Sequence, residues 1–423
     1  MEIIKDFLLK LLKVDNLNHG EMFRVEHPFN FKEDELLIYD ENKIKSYLLN
    51  SEEYNFNGID MITEKTIEIP IASNRYRDVI RKNEKSITSL DGNINFYISN
   101  VTPTYFIHSI IELYIKEENK NIIKKSMKLF RLYKATYTKI ENGDDTKEPK
   151  ELLEYIIENI NIKSLFIESK KVKDYKSLLS LKTTFAFEFT YKFQEKLTFY
   201  NNFEDVFFIK QKNSNNIDRS KEEHDVFSCR IYDNNLVEYY LRFINTDDLY
   251  IKYISCYHIL EYYYEKVYKD DVLNEIKKII THPDFSYNSN TQLDKVMKKV
   301  SSKIKNNKEH GQGNELESLK LVINKFCNID EIYSKLSDEE IQFFEQNKSF
   351  SLGDKIDWKN EKGLSNLLAK RIYSIRNSLI HSKVDKGDKV SYQELKHKEL
   401  LSKEIPLIRL IAENVIISNS KIN

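Results

Sequence analysis

A short stretch near the end of the chain, RIYSIRNSLIHSKVDK, contains three polar side chains that could act on one ligand. They are Arg376, Asn377 and His381. A guanidinium group can donate two parallel hydrogen bonds to the non-bridging oxygens of a phosphodiester and can stabilise negative charge that develops there. An imidazole has a pKa near neutrality in solution, so it can move protons at physiological pH. These residue types indicate chemistry on a phosphodiester.

The same stretch has the apolar spacing of an amphipathic helix. At about 100° per residue, five apolar side chains fall within an arc of roughly 80°. These side chains are Leu364, Leu368, Ile372, Ile375 and Leu379. Arg376 lies beside this stripe, whereas Asn377 and His381, four residues apart, project from the opposite side. We expect the stripe to face the core and His381 to lie in the last turn, where the helix dipole favours its protonated form.

The segment RNSLIH, from Arg376 to His381, resembles the R-N-x-x-x-H signature of HEPN domains. HEPN domains are α-helical bundles that commonly dimerise and act as metal-independent ribonucleases in prokaryotic defence and toxin systems. Three further segments resemble the flanking helices of defence-associated HEPN proteins, including the Apea-like group: YHILEYYYE, ELESLKLVINKF and IPLIRLIAENVI. The resemblance covers roughly residues 245–420. It implies that Arg376 and His381 are catalytic and that Asn377 orients them.

The surroundings of His381 indicate how such a reaction would proceed. No pair or triplet of His, Asp and Glu at metal-ligand spacing accompanies His381, and the chain has no G-x-x-x-x-G-K-[ST] loop for phosphates. We therefore expect a reaction that uses no metal and no cofactor. Without a metal-activated water, the accessible nucleophile is the ribose 2′-hydroxyl. Cleavage would then be restricted to RNA and would leave a 2′,3′-cyclic phosphate.

The single histidine of the motif bears on the oligomeric state. One imidazole cannot easily serve as both the base and the acid of an in-line reaction. A two-fold dimer that apposes two copies of the motif would place two histidines and two arginines around one phosphate. We therefore expect a homodimer formed through the helical part of the chain.

Two other groups of residues are candidates for supporting roles. His258 and Glu261 share one face of a tyrosine-rich helical segment, where the carboxylate could orient an imidazole, although a solvated polar stripe has the same spacing. A basic run contains Lys295, Lys298 and Lys299. It could follow an RNA backbone, and a solvated helix face is the alternative.

The composition limits the class of protein. The chain has 423 residues, of which 40% are hydrophobic and 31% are charged, and its formal net charge is -1. These values are typical of a globular protein and exclude a uniformly cationic nucleic-acid-binding surface. Three widely spaced cysteines form no C-x-x-C pair, which favours a reducing cytoplasm over a disulfide framework. No segment approaches the roughly 18 consecutive apolar residues of a transmembrane span, so we expect no membrane partner.

The pattern of apolar residues changes along the chain. Over residues 1–240, runs rich in β-branched and aromatic residues alternate with helical runs, which predicts a mixed α+β domain. The predicted strands cover residues 65–71, 93–100, 183–193, 205–210 and 226–233. Over residues 245–423, long helical patterns predict an all-α helical bundle, the part that resembles a HEPN domain. The predicted fold class is α+β.

Taken together, these features predict a metal-independent endoribonuclease of a prokaryotic antiphage defence or toxin system. RNA would be the substrate. The N-terminal domain would sense a trigger, such as a phage component, or would respond to a cognate regulator. The alternative is a non-catalytic HEPN scaffold that binds RNA, a nucleotide or a partner protein.

Overall fold

The chain forms two compact units in a computed structural model. The residues described are 1–26, 35–52, 54–72, 87–116, 121–140, 148–195, 197–208, 226–309, 311–360, 363–380 and 391–422. Unit 1 consists of Met1–Glu188 and Leu197–Cys229, and unit 2 of Phe189–Lys196 and Arg230–Asn423. The described part of unit 1 contains the β-sheets and that of unit 2 is mainly helical, so the fold is mixed α+β, as predicted. The predicted boundary at residues 240–245 falls inside a helix of unit 2.

Unit 1 is built around two β-sheets. Its described strands are β1 Met22–Glu26, β2 Glu35–Ile38, β3 Asn55–Asn57, β4 Asp60–Ile62, β5 Thr66–Ile71, β6 Ile87–Ser89, β7 Ile94–Asn100, β8 Thr136–Ile140, β9 Lys150–Glu151, β10 Lys163–Ser169 and β11 Val226–Phe227. One sheet has the order β8-β1-β2-β9, and the other has the order β11-β6-β7-β10-β5-β4-β3. The predictions for residues 65–71 and 93–100 are confirmed, because these segments form β5 and β7.

One face of the larger sheet is buried at its centre, in strands β5, β10 and β7. Strand β10 runs antiparallel to both β5 and β7, with Leu165 opposite Ile69 and with Ile167 opposite Ile67 and Phe96. All five side chains are inaccessible to solvent. Because successive strand residues point to opposite faces, these alternate residues form one apolar layer.

Eight described helices begin in unit 1. They are α1 Glu2–Leu12, α2 Glu41–Glu52, α3 Pro103–Lys116, α4 Ile122–Lys125, α5 Met127–Tyr133, α6 Leu152–Ile160, α7 Tyr175–Phe193 and α8 Phe203–Phe208. The apolar face of α1 lies in the core of the unit. Its buried residues are Ile4, Phe7, Leu8, Leu11 and Leu12.

Three of the predicted strands differ from the structure. Residues 183–193 lie in α7, and the described part of 205–210 lies in α8, while residues 209–210 are outside the described chain. Within 226–233, only β11 is a strand. The prediction for 183–193 is wrong although Phe185, Phe187 and Phe189 alternate as in a strand. Residues 184–190 are all buried, so the residues between these phenylalanines face the interior as well, and the alternation does not separate a buried face from an exposed one.

Helices dominate the described part of unit 2. After the end of α7 come α9 Asn234–Asn245, α10 Leu249–Glu261, α11 Tyr264–Ile280, α12 Asn290–Glu309, α13 Gly311–Phe326, α14 Ile329–Lys335, α15 Asp338–Gln346, α16 Leu364–Ile380 and α17 Glu394–Asn419. The tyrosine-rich segment, with its helical pattern over residues 249–268, is split between α10 and α11. Among the helices described, none combines the length and apolarity needed to cross a membrane.

A buried ion pair joins α16 to α17. Arg371 is 0% and Glu404 2% exposed. The guanidinium donates from Nε to Glu404 Oε2 over 3.0 Å and from Nη2 to Oε1 over 2.7 Å. Its Nη1 donates to the carbonyl oxygens of Asn347, over 2.8 Å, and Asp354, over 3.0 Å. Arg371 therefore fastens the loop before α16 as well as α17.

Candidate active site

Helix α16 is positioned by its apolar stripe, as the spacing predicted. All five stripe residues are buried: Leu364, Leu368, Ile372, Ile375 and Leu379. The buried hydroxyl of Tyr253 on α10 donates to the carbonyl oxygen of Ile372 over 3.2 Å. This contact joins α10 to α16 one turn before the motif. The rest of the site is assembled around that point.

The Arg376 side chain is enclosed by three helices. Its Nη1 donates to Asn377 Oδ1 over 3.1 Å and lies 3.4 Å from Oε2 of Glu315 on α13. The guanidinium carbon lies 5.3 Å from the centre of the Tyr257 ring on α10, within the range of a cation–π interaction. Only 14% of the Arg376 side chain is exposed. The guanidinium is thus held in one place before any ligand binds.

Asn377 and Tyr373 complete this polar group. The sequence predicted that Asn377 projects away from the stripe, and the structure places its carboxamide oxygen on the guanidinium of Arg376. The hydroxyl of Tyr373 interacts with the side chains of both Asn377 and Glu315. The pKa of Tyr373 is raised, mainly by burial, so its hydroxyl is protonated at neutral pH. The group therefore combines a cation, a carboxylate, an amide and a phenol.

One buried donor of this region, Nε of Arg376, has no hydrogen-bond partner among the described residues. Oε2 of Glu315 is also buried, and it lies in the ion pair with Arg376. The rings of Tyr257 and Tyr264 meet edge to face with their centres 6.2 Å apart, their hydroxyls interact with each other, and burial raises the pKa of both. Buried polar groups are nearly always paired, and each unpaired one costs about 1–3 kcal/mol. The unused donor of Arg376 therefore indicates a site for a ligand that accepts hydrogen bonds.

Glu315 is the residue that the sequence reasoning missed. It lies on the same side of α13 as the buried Leu319 and Val322, which follow it by four and seven residues. A carboxylate on the apolar stripe of a helix is unusual, because a buried charge needs a partner. That position could have singled out Glu315, but only the packing identifies Arg376 as its partner.

His258 and Glu261 form a pair on α10. Nδ1 of His258 lies 3.3 Å from Glu261 Oε2, and its ring stacks on that of Tyr239 with centres 5.2 Å apart. Burial lowers the pKa of His258, and the charges of Arg242 and Arg376 act in the same direction, against Glu261. The imidazole is therefore neutral at pH 7. The predicted pair exists, within electrostatic reach of Arg376.

The other predicted residues lie elsewhere. His381 is outside the described residues. Lys295, Lys298 and Lys299 lie on the solvent-exposed part of α12, and Nζ of Lys299 is 3.7 Å from Oε2 of Glu275. Among the described contacts, none joins these lysines to Arg376, Asn377, Tyr373 or Glu315. Among the described residues, no group of three or more His, Cys, Asp or Glu side chains is arranged to hold a metal ion.

Comparisons of this chain with protein-family models, curated proteins and solved structures gave no match.

Proposed function

We propose that this protein is a metal-independent endoribonuclease of the HEPN type, acting in a prokaryotic antiphage defence or toxin system. The observation that carries the proposal is the guanidinium of Arg376, which Asn377 and Tyr257 hold in place while its Nε lacks a partner among the described residues. A phosphodiester supplies the acceptor oxygens that this donor needs. Arginine suits this ligand because its planar fork matches the phosphate oxygens.

Each residue of the motif has a defined role in this proposal. Arg376 binds the non-bridging oxygens and stabilises the charge that develops on phosphorus-bound oxygen. Asn377 fixes the orientation of the guanidinium, and His381 donates a proton to the leaving oxygen. His258, whose ring is oriented by Glu261, supports the site as a neutral imidazole. The lysines of α12 extend the contact to the RNA backbone.

The reaction uses the ribose 2′-hydroxyl as nucleophile. Its oxygen attacks the adjacent phosphorus, the bond from phosphorus to the 5′-oxygen breaks, and the 5′-oxygen takes up a proton. The products are a 2′,3′-cyclic phosphate and a 5′-hydroxyl end. DNA lacks the nucleophile, so it is not a substrate. In this scheme, unit 1 acts as the sensor of a phage-derived trigger or of a cognate regulator.

The test compares RNA with a strand that carries 2′-deoxyribose at the cleaved position, both incubated with the full-length protein in EDTA. We expect the RNA to be cut to 2′,3′-cyclic phosphate ends and the substituted strand to survive. A second test is made in vivo. RNA ends are sequenced from phage-challenged cells that produce either the wild type or His381→Ala, and the cyclic phosphate ends should appear only with the wild type. Cleavage of the substituted strand, or RNA ends that do not depend on His381, would overturn the proposal.

A non-catalytic role is the second candidate, and the ion pair between Arg376 and Glu315 favours it. This pair neutralises the guanidinium without any ligand. In that case the protein would be a scaffold that binds RNA, a nucleotide or a partner protein. This function is identified if the wild type and His381→Ala bind RNA with equal affinity and neither of them cleaves it.

We expect the full-length protein to be a homodimer that is held together through unit 2. The reason is the single motif histidine, since two apposed copies would surround one phosphate with two histidines and two arginines. Light scattering at micromolar concentration measures the mass directly, and 50.5 kDa is the mass of one chain. A strict monomer that still cleaves RNA would contradict a site shared between chains.

A further inference from the structure

We infer that Glu315 is the general base of the reaction, and this inference rests on the proposed function. In the proposed reaction, His381 is the acid and Arg376 binds the phosphate, but a group that removes the proton from the 2′-hydroxyl is still needed. Glu315 is a carboxylate in contact with Arg376, with Oε2 3.4 Å from Nη1. A base must lie within hydrogen-bond reach of the proton that it removes.

The position of Glu315 meets that requirement. In RNA, the 2′-hydroxyl attacks the phosphate on the neighbouring 3′-oxygen of the same ribose, so the two groups lie close together. When the guanidinium of Arg376 binds that phosphate, the hydroxyl comes near the groups around the guanidinium, among them the carboxylate of Glu315. Its side chain is 32% exposed, but Oε2 itself is buried in the ion pair with Arg376, so a substrate would approach the carboxylate from its other oxygen.

A neighbouring side chain holds Glu315 in position. The hydroxyl of Tyr373 interacts with the side chains of both Glu315 and Asn377, so the carboxylate is fixed beside the guanidinium of Arg376.

The resulting step is balanced. A carboxylate oxygen of Glu315 takes the proton of the 2′-hydroxyl while the bond from the 2′-oxygen to phosphorus forms. The bond from phosphorus to the 5′-oxygen breaks, and His381 gives its proton to that oxygen. Glu315 ends the step protonated and His381 neutral, and exchange with water restores both. One chain then carries a base as well as an acid.

The test separates the base from the acid by changing the leaving group. Two substrates are compared: ordinary RNA, and RNA in which sulfur replaces the 5′-oxygen at the cleaved bond. Sulfur leaves without a proton, so only the base is still required. We expect Glu315→Gln to cleave both substrates about 10²- to 10⁴-fold more slowly than the wild type. His381→Ala should be slow on RNA and should recover most of its rate on the sulfur substrate.

Glu317→Gln is the matched control. Glu317 lies on the same helix, its side chain is half-exposed, and its Oε2 lies 3.6 Å from Nζ of Lys320. The Glu317→Gln variant should cleave both substrates at the wild-type rate. Glu315→Asp, which keeps a carboxylate, should retain more activity than Glu315→Gln. Affinity for a non-cleavable 2′-deoxy strand, measured for Glu315→Gln, should equal or exceed that of the wild type, because a competing negative charge is removed.

The possible failures are distinguishable. If the wild type cleaves RNA in a His381-dependent manner and Glu315→Gln cleaves both substrates at the same rate as the wild type, Glu315 is not the base and the proposed function stands. Recovery of Glu315→Gln on the sulfur substrate, or loss of its affinity for the 2′-deoxy strand, would equally overturn the assignment. If the wild type cleaves neither substrate, the proposed function itself fails.

Discussion

Replacing His381 by alanine is expected to lower the rate of RNA cleavage about 10²- to 10⁴-fold, the usual cost of removing a general acid or base. Replacing Arg376 by lysine should lower the rate about 10²- to 10³-fold, because a transition-state donor is lost. An ammonium cannot reproduce a two-pronged contact with phosphate oxygens. It also cannot maintain both the hydrogen bond to Asn377 and the contact with the Tyr257 ring.

Initial rates on one radiolabelled RNA, with EDTA present, measure both effects. Arg131→Lys is a matched control, since Arg131 is an exposed residue of α5 in unit 1. Its rate should equal that of the wild type. Both site variants should also keep the melting temperature of the wild type within a few degrees. Loss of wild-type activity in EDTA that added Mg²⁺ restores would contradict the mechanism, because it would identify a metal-activated water as the nucleophile.

Breaking the ion pair between Arg371 and Glu404 is expected to have the largest effect on stability. Glu404→Gln leaves a guanidinium that is completely buried and uncompensated. Removal of one partner of a buried pair typically costs about 3–5 kcal/mol of unfolding free energy. For a unit of this size, such a loss corresponds to a fall in melting temperature of roughly 6 to 20 °C.

Thermal unfolding followed by circular dichroism measures this loss. The control is Lys403→Ala, which removes an exposed pair of the same helix, where Nζ of Lys403 lies 3.0 Å from Oε1 of Glu399. Exposed pairs contribute about 0–1 kcal/mol, so that variant should melt close to the wild type. The double variant Arg371→Met with Glu404→Leu should be more stable than Glu404→Gln, because no buried charge is left unpaired. Equal melting temperatures for Glu404→Gln and Lys403→Ala would contradict this role.

Periodicity was sufficient to identify the helix that carries the motif. The apolar stripe from Leu364 to Leu379 is buried as predicted, because residues three and four apart share one face of a helix whatever its surroundings. The same reasoning located β5 and β7. In α7 the alternation of Phe185, Phe187 and Phe189 predicted a strand, and this prediction failed because residues 184–190 are all buried, so the alternation marks no exposed face.

The two arginines of the motif stretch illustrate what a sequence cannot assign. Arg371 and Arg376 lie on one helix, five residues apart, and both could bind a phosphate. Packing buries Arg371 against Glu404 and two loop carbonyls, whereas it leaves Nε of Arg376 without a partner in the described chain. Spacing along one helix contains no information about the carboxylate that a distant helix supplies.

The sequence by itself therefore determined the helix, its buried stripe and the presence of Arg376 and Asn377 together on it. Only the tertiary structure placed Glu315 of α13 and Tyr257 of α10 around that guanidinium. The physical reason is the range of the interactions involved. Helical periodicity depends on neighbours within about one or two turns, whereas an ion pair or a cation–π contact depends on which helices pack together.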